Sequence, residues 1–224
     1  MSRLPVALVE HHEMFADTLD LALTLHGHEV KRVAVPDRAS PAESLVAPVL
    51  ATRARVVLLD VDLDLVGNVA DVIEPLTRSL VAVVALTASS DQARWGECLH
   101  RGARRVIPKT ASLQAVIGTL RRIENGLPVC QLDRRQALIA TWQRERAAHQ
   151  RAHDRLATLT RREQEILAQL TLGRQVREIA DHHVVSEATV RTQVKSILSK
   201  LDVGSQIAAV GLAYRSRWRA PQLQ

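Results

Sequence analysis

The chain has 224 residues, and its 30 Lys and Arg against 24 Asp and Glu give a formal charge of +6, which favours a polyanionic partner. Hydrophobic residues make up 46% of the chain, enough for each half to bury a core. Aromatic residues make up only 2%, which argues against stacking platforms for single-stranded nucleic acid. The two cysteines lack metal-ligand spacing, and neither a signal peptide nor a membrane span is predicted. We expect a cytoplasmic protein without membrane association.

The first half of the sequence alternates apolar runs with helical patterns. The predicted strands cover 5–9, 29–35, 54–60, 80–86 and 104–107, and the predicted helices cover 13–26, 41–52, 67–79, 91–101 and 112–125. The third and fourth runs are continuously apolar and rich in valine, as in central strands of a parallel sheet covered on both faces. The alternation predicts a doubly wound α/β domain with a five-stranded parallel sheet.

Charged and polar residues follow the ends of four of these runs. Glu10 and His11 follow the first run, Asp60 ends the third, Thr87 follows the fourth and Lys109 lies just past the fifth. In doubly wound folds the binding site lies outside the carboxyl ends of the strands. We therefore expect these five residues to form one pocket.

The composition changes at about residue 131. Residues 131–159 contain no Gly or Pro and many Arg, Gln and Ala, which predicts a polar helix between two domains. Apolar residues near heptad spacing would allow a coiled-coil seam, but Glu145 and His149 interrupt them, which favours a packed linker helix. The predicted organisation is a first domain at 1–127, a helical linker at 128–155 and an all-α domain at 156–224.

The last domain is predicted as four helices with clear boundary signals. "TRRE" at 160–163 matches a capping box, and this helix should stop at Gly173. A short second helix covers about 175–182. Ser186 is the expected N-cap of the third helix, 187–201, and a fourth helix covers 205–218. A helix, a tight turn and a second helix predict a helix-turn-helix.

The third helix has a small-to-basic outer face. Arg191 and Lys195 lie one turn apart and could read guanine, and Thr192 could contact a thymine methyl group. Ser186, Thr189 and Gln193 lie nearer the helix start, where phosphate contacts would fix the docking on DNA. From the pattern alone, an ordinary amphipathic helix with a solvated basic face is the alternative.

This part of the chain closely resembles a known family. "LTRREQEILAQLTLGRQVREIADHHVVSEATVRTQVKSILSKLDVGSQIAAV" carries the skeleton of the LuxR-type helix-turn-helix domain of the NarL/FixJ response regulators, over about 155–216. The resemblance implies a homodimeric transcription regulator that binds double-stranded DNA and dimerises through its last helix. It carries base-facing roles onto Arg191, Thr192 and Lys195, and phosphate-facing roles onto Thr189 and Gln193. Gln193 stands where the family usually has His.

The first half is similar to the receiver domain of the same family. In receivers, two acidic residues after the first strand hold magnesium and an aspartate after the third accepts a phosphoryl group from a histidine kinase. A hydroxyl and a lysine after the fourth and fifth strands contact that phosphoryl group. The resemblance implies these last three roles for Asp60 in "VVLLDVDL", Thr87 in "VALTASS" and Lys109 in "RVIPKTAS".

The departures from the receiver pattern point to altered chemistry. Glu10 and His11 replace the acidic pair, and an imidazole is a poor magnesium ligand. Val106 stands where the switch aromatic usually lies, and Asp64 where receivers usually have Pro. We predict a pseudo-receiver, that is, a receiver domain working without conventional phosphorylation.

In this hypothesis Asp60 pairs with Lys109 and with protonated His11. We expect no cofactor, no enzymatic turnover and no metal beyond weak magnesium binding at Glu10 and Asp60. A phosphorylation-dependent regulator using Asp60 is one alternative. A regulator that senses a small molecule in the same pocket is the other.

Further residues are interpreted as structural. His12 is expected to be a turn residue, and His182 and His183 to end a short helix. The acidic run from Asp60 to Asp64 lacks the glycine and terminal glutamate of an EF-hand loop, so calcium is not expected.

Overall fold

The computed structural model describes residues 4–219 of the chain. These residues fall into two compact units, Met1–Gln143 and Arg144–Gln224. The division lies inside one long helix, and the predicted boundaries at 127 and 155 remain predictions. Both predicted domains extend at their outer ends, residues 1–3 and 220–224, beyond the described residues. None of the described helices is both long and apolar enough to cross a membrane.

The first unit contains the predicted five-stranded parallel sheet, in the order β2-β1-β3-β4-β5. The strands are β1 Pro5–Val9, β2 Glu29–Arg32, β3 Val56–Asp60, β4 Ala82–Thr87 and β5 Arg105–Pro108. Strand β2 ends three residues before the predicted end. It is an edge strand that pairs only with β1, and the pairing stops because β1 itself ends at Val9.

Five helices cover the two faces of the sheet: α1 Glu13–Leu25, α2 Val46–Ala51, α3 Ile73–Arg78, α4 Gln92–His100 and α5 Leu113–Glu124. Helices α2 and α3 are shorter than predicted because each is preceded by a 3₁₀ turn, Ala42–Leu45 and Val69–Val72. Pro48 and Pro75 are the third residues of these helices, where the missing N–H needs no helical partner.

Two apolar cores lie on opposite faces of this sheet. Successive residues of β1 and β3 alternate between them, as the pleat of a strand requires. Ala7, Val9, Val57 and Leu59 contribute to one core, and Val6, Leu8, Val56 and Leu58 to the other. Burial on both faces explains the continuous apolar runs in the sequence.

The predicted polar helix is present as α6, Leu132–Ala157. Within the first unit its early residues pack on α4. Arg135 donates hydrogen bonds to the carbonyls of Ala103 and Leu99 at 2.8 and 2.6 Å. A Cβ atom at Gly96 of α4 would overlap the Leu138 carbonyl and lie 2.9 Å from Trp142 Cβ. Glycine at position 96 therefore permits the close approach of the two helices.

The second unit contains α7 Arg161–Thr171, α8 Val176–His183, α9 Glu187–Leu201 and α10 Gln206–Arg215, around one apolar core. The predicted capping box is confirmed, since Thr160 and Glu163 bond reciprocally at the start of α7. Ser186 is the N-cap of α9, as predicted. Helix α7 ends just before Gly173, which has a positive φ of 79°, as predicted from the sequence.

Glu163 also ties α7 to α9. One carboxylate oxygen accepts from Ser196 at 2.7 Å, and the other accepts from Lys200 at 2.6 Å. Burial alone would raise the pKa of Glu163, but these bonds and those from Thr160 lower the pKa to about 2. The ionised carboxylate is therefore an anchor of the second unit.

The α4–α6 contact predicts opposite effects for two glycine substitutions. We expect Gly96→Ala to lower the free energy of unfolding by about 1–3 kcal/mol, because the added methyl group forces α6 away. Gly118→Ala on α5 is the matched control, since its Cβ meets nothing within 4 Å. It should raise the stability by about 0.5–1 kcal/mol through helix propensity. Urea unfolding of both variants measures this, and equal effects would contradict the packing described.

We expect Glu163→Gln to destabilise the second unit by about 2 kcal/mol at neutral pH. The folded-state pKa lies below the ordinary value of 4.5, so the stabilisation is present above that pH and disappears as the pH falls towards about 2. Hydrogen exchange of α7 and α9 amides between pH 7 and 3 measures the effect. Glu187→Gln, an exposed member of an ion pair, should cost about 0.5 kcal/mol or less. Equal losses in the two variants would refute the anchoring role.

Candidate functional site

The carboxyl edge of the sheet gathers the five predicted pocket residues. β1 and β3 are neighbours, so Glu10 directly after β1 lies beside Asp60 at the end of β3. Thr87 ends β4, and Lys109 follows β5. The structure brings four of these side chains into mutual contact, namely Glu10, His11, Asp60 and Lys109. The fifth predicted residue, Thr87, donates its hydroxyl to Asp62 instead.

Asp60 is fully buried, and both of its oxygens have partners. Oδ2 lies 2.9 Å from Lys109 Nζ and 2.5 Å from His11 Nδ1, and Oδ1 accepts from the Asp62 N–H at 3.0 Å. Burial alone would raise the pKa of this carboxyl group, but the bonds from Lys109, Asp62 and His11 and the Lys109 charge together lower the pKa. Asp60 is therefore held ionised, and the His11 Nδ1 that faces it carries the proton.

Lys109 bridges two buried carboxylates. Its Nζ lies 2.8 Å from Glu10 Oε2 as well as 2.9 Å from Asp60 Oδ2, and it stands 5.6 Å from the ring centroid of Phe15. Burial alone would lower the pKa of Lys109, but the hydrogen bonds that it donates to Glu10 and Asp60, and the charges of these carboxylates, raise the pKa. The ammonium group is thus the fixed cation of the pocket.

Thr87 donates its hydroxyl to Asp62, at 3.0 Å from Oδ1 and 2.9 Å from Oδ2. The Ala88 N–H donates to the same carboxylate, and Arg94 Nη2 lies 3.3 Å from it. Asp62 was not among the predicted pocket residues. Its place two residues after Asp60 was the available signal, because side chains two apart on an extended segment share a side.

His12 lies closer to the pocket than its interpretation as a turn residue implies. It is the N-cap of α1, its N–H donates to Glu10 Oε1 at 2.9 Å, and its Nδ1 lies 3.1 Å from the same oxygen. His182 and His183 end α8 as predicted, and His183 Nδ1 accepts from Arg162 at 2.7 Å.

The residues at this edge do not fit magnesium. Magnesium requires a compact octahedron of oxygen ligands. Here an imidazole stands at position 11, and the Lys109 ammonium group lies within 2.9 Å of both the Glu10 and the Asp60 carboxylates. The pocket contains its own organic cation among the oxygens that a magnesium ion would need.

Helix α9 has one buried face and one exposed face. On its inner face Leu198 is half-buried and four residues are buried, namely Val190, Val194, Ile197 and Leu201. The outer residues Arg191, Thr192 and Lys195 are exposed.

The predicted phosphate-contacting residues lie at the start of α9 and one turn further on. Ser186 and Thr189 are exposed and Gln193 is half-buried. The Ser186 hydroxyl also caps α9 by accepting from the Thr189 N–H at 3.1 Å, and Arg191 forms an ion pair with Glu187 at 3.1 Å.

Comparison with known proteins identifies the family. Residues 157–213 match the family described as bacterial regulatory proteins, luxR family. The chain is 30% identical over 160 residues to the transcriptional regulatory protein LnrK of Bacillus subtilis (strain 168), covering 69% of this chain and 72% of LnrK. It is 24% identical over 212 residues to the response regulator UvrY of Escherichia coli (strain K12), covering 94% and 93% of the two chains.

A solved structure shares the fold over nearly the whole chain. The RcsB response regulator of Salmonella typhimurium aligns with a TM-score of 0.52 at 18% identity, covering 96% of this chain and 100% of RcsB. The sequence matches show that the chain belongs to the NarL/FixJ-type response regulators, the DNA-binding transcription regulators with a LuxR-type helix-turn-helix domain.

Proposed function

We propose that this transcription regulator works without phosphorylation of Asp60. The observation that carries the proposal is the closed environment of the Asp60 carboxylate, in which Lys109, His11 and the Asp62 N–H use both oxygens. A carboxylate that attacks phosphorus needs a free oxygen lone pair facing the donor. Here that oxygen would first have to give up two charge-assisted hydrogen bonds.

The charge balance of the pocket also opposes a phosphodonor. Phosphoryl transfer relies on cations that neutralise the charge on the transferred group. The pocket contains the three carboxylates of Glu10, Asp60 and Asp62 against two cations, Lys109, which is shared between Glu10 and Asp60, and Arg94, which lies beside Asp62. A phosphate group brought to Asp60 would therefore meet net negative charge without a magnesium ion to balance it.

Asp62 supplies an anion where a receiver would receive one by phosphorylation. In the receivers that this unit resembles, the hydroxyl after the fourth strand contacts the phosphoryl group. In this chain Thr87 donates instead to Asp62, together with the Ala88 N–H and the nearby Arg94 guanidinium. We infer that Asp62 holds Thr87 permanently in the orientation that phosphorylation induces elsewhere.

The output is sequence-specific binding of a homodimer to double-stranded DNA through α9. We assign base contacts to Arg191, Thr192 and Lys195 because they form an exposed face opposite the buried stripe. Ser186, Thr189 and Gln193 are assigned to phosphates. Arg191 must break its exposed ion pair with Glu187 before it can contact a base.

Incubation with a small-molecule phosphodonor and magnesium, followed by intact mass measurement, tests the proposal. We expect no stoichiometric phosphate adduct on the unaltered protein. The matched variant His11→Asp restores an acidic pair beside Glu10 and removes an Asp60 partner, so it should acquire an adduct more readily. A stoichiometric adduct on the unaltered protein that Asp60→Asn abolishes would establish the phosphorylation-dependent alternative.

DNA binding without a phosphodonor is the second expected outcome. Binding to the upstream region of its own gene is measured by fluorescence anisotropy at a stated salt concentration. Arg191→Ala and Lys195→Ala should each weaken binding by about 1–3 kcal/mol where a base contact is lost. Arg78→Ala, an exposed arginine of the first unit, removes the same charge and should leave binding nearly unchanged. Equal effects of all three variants would show that α9 is not the recognition helix.

A further inference from the structure

We propose that Glu10, His11, His12 and Asp60 form a binding site for a divalent transition metal ion such as Zn²⁺. Each residue offers one donor atom, and the four atoms all lie within 4.8 Å of one another. The proposal goes beyond the phosphorylation-independence argued above, since it assigns a ligand to the same edge of the sheet.

The donor geometry is close to what a four-coordinate site needs. Zinc binds imidazole nitrogens and carboxylate oxygens at about 2.0–2.2 Å, so neighbouring ligand atoms in a tetrahedron lie roughly 3.4 Å apart. His11 Nδ1 lies 3.6 Å from Glu10 Oε1, and His12 Nδ1 lies 3.1 Å from the same oxygen. The His11–Asp60 pair, at 2.5 Å, must separate, and a metal ion would replace the proton between its two atoms.

The Lys109 ammonium group already places a positive charge among these donor atoms. Its Nζ lies 2.9 Å from Glu10 Oε1, 2.9 Å from Asp60 Oδ2 and 3.5 Å from His12 Nδ1. Two fully buried carboxylate side chains against one ammonium group leave one negative charge to be balanced. A divalent ion that displaced the Lys109 ammonium group would balance both carboxylates.

The donor set selects the class of metal. Two imidazoles with two carboxylates suit zinc, copper or nickel, whereas magnesium prefers oxygen ligands alone. The replacement of an acidic residue by His11, followed by His12, therefore changes the preferred ion. The side chains of these histidines are 38% and 61% exposed, and an open cleft of about 790 Å³ borders Glu10 and His11, so an ion can reach the site.

His12 separates this proposal from the one before it. It contributes a ligand nitrogen to the metal site, but it contacts neither Asp60 oxygen, and its side chain makes no capping bond to α1. Substituting His12 should therefore remove metal affinity while the partners of Asp60 stay in place.

The test is a titration of the full chain, prepared without a polyhistidine tag, with Co²⁺ followed by visible absorption and then with competing Zn²⁺. We expect one Co²⁺ per chain with an intense, tetrahedral-type spectrum, displaced by Zn²⁺ but not by the same concentration of Mg²⁺. His12→Ala should weaken binding about tenfold or more, and Lys109→Met should tighten it about tenfold because the competing ammonium group is gone. His182→Ala, an exposed histidine in another histidine pair, is the matched control and should bind as the unaltered chain does.

Absence of binding, equal competition by Mg²⁺ or an unchanged affinity in His12→Ala would overturn the metal site. Circular dichroism of each variant distinguishes loss of metal binding from loss of the fold. The tighter metal binding expected for Lys109→Met cannot be explained by unfolding. The titration contains neither DNA nor a phosphodonor. A phosphate adduct on Asp60 would therefore refute the proposed function without affecting the metal result. Absence of metal binding would refute the metal site without affecting the proposed function.

Discussion

The ammonium group of Lys109 stabilises two carboxylates that are buried at the carboxyl edge of the sheet. An isolated buried charge costs several kcal/mol, and the Lys109 ammonium group offsets much of the cost of burying these two carboxylates. The bridge also joins the ends of β1, β3 and β5, which are not all neighbours in the sheet. Removing this group would leave two negative charges facing each other, whereas the Asp62–Thr87 contact does not involve it.

The contacts around the bridge form two separate systems. His11 completes the environment of Asp60, while Asp62 accepts from Thr87 and lies beside Arg94. In a typical receiver, magnesium and the phosphoryl group would link these two positions. Here side chains of the protein supply both the cation and the anion, which is the physical basis for proposing a pocket that is complete without phosphate. The same arrangement is the reason for proposing a transition metal ion over magnesium, since the imidazoles of His11 and His12 stand among the carboxylates.

The second unit fixes one face of α9 by packing and leaves the other face, which carries the residues proposed to contact DNA, exposed. Apolar packing holds the inner face of α9 against the core. Glu163 of α7 fixes the position of α9 further, because it accepts hydrogen bonds from Ser196 and Lys200. A buried ionised carboxylate with four donors tolerates little displacement, because each lost bond exposes its charge to an apolar environment. The exposed face that contains Arg191 is therefore held by contacts on the opposite side of the helix.

The sequence by itself determined the fold class, the carboxyl ends of β1 and β3, those of β4 and β5 to within one residue, and the family, because these follow from periodicity and from motifs a few residues long. It also predicted the capping box at Thr160, whose two partners are three residues apart. The family pattern already suggested an Asp60–His11 pair, for which the structure shows the contact across 49 positions. Only the tertiary structure decided that Lys109 meets Glu10 across 99 positions and that the Thr87 hydroxyl donates to Asp62. Such contacts depend on strand register and side-chain rotamers, which local sequence patterns do not encode.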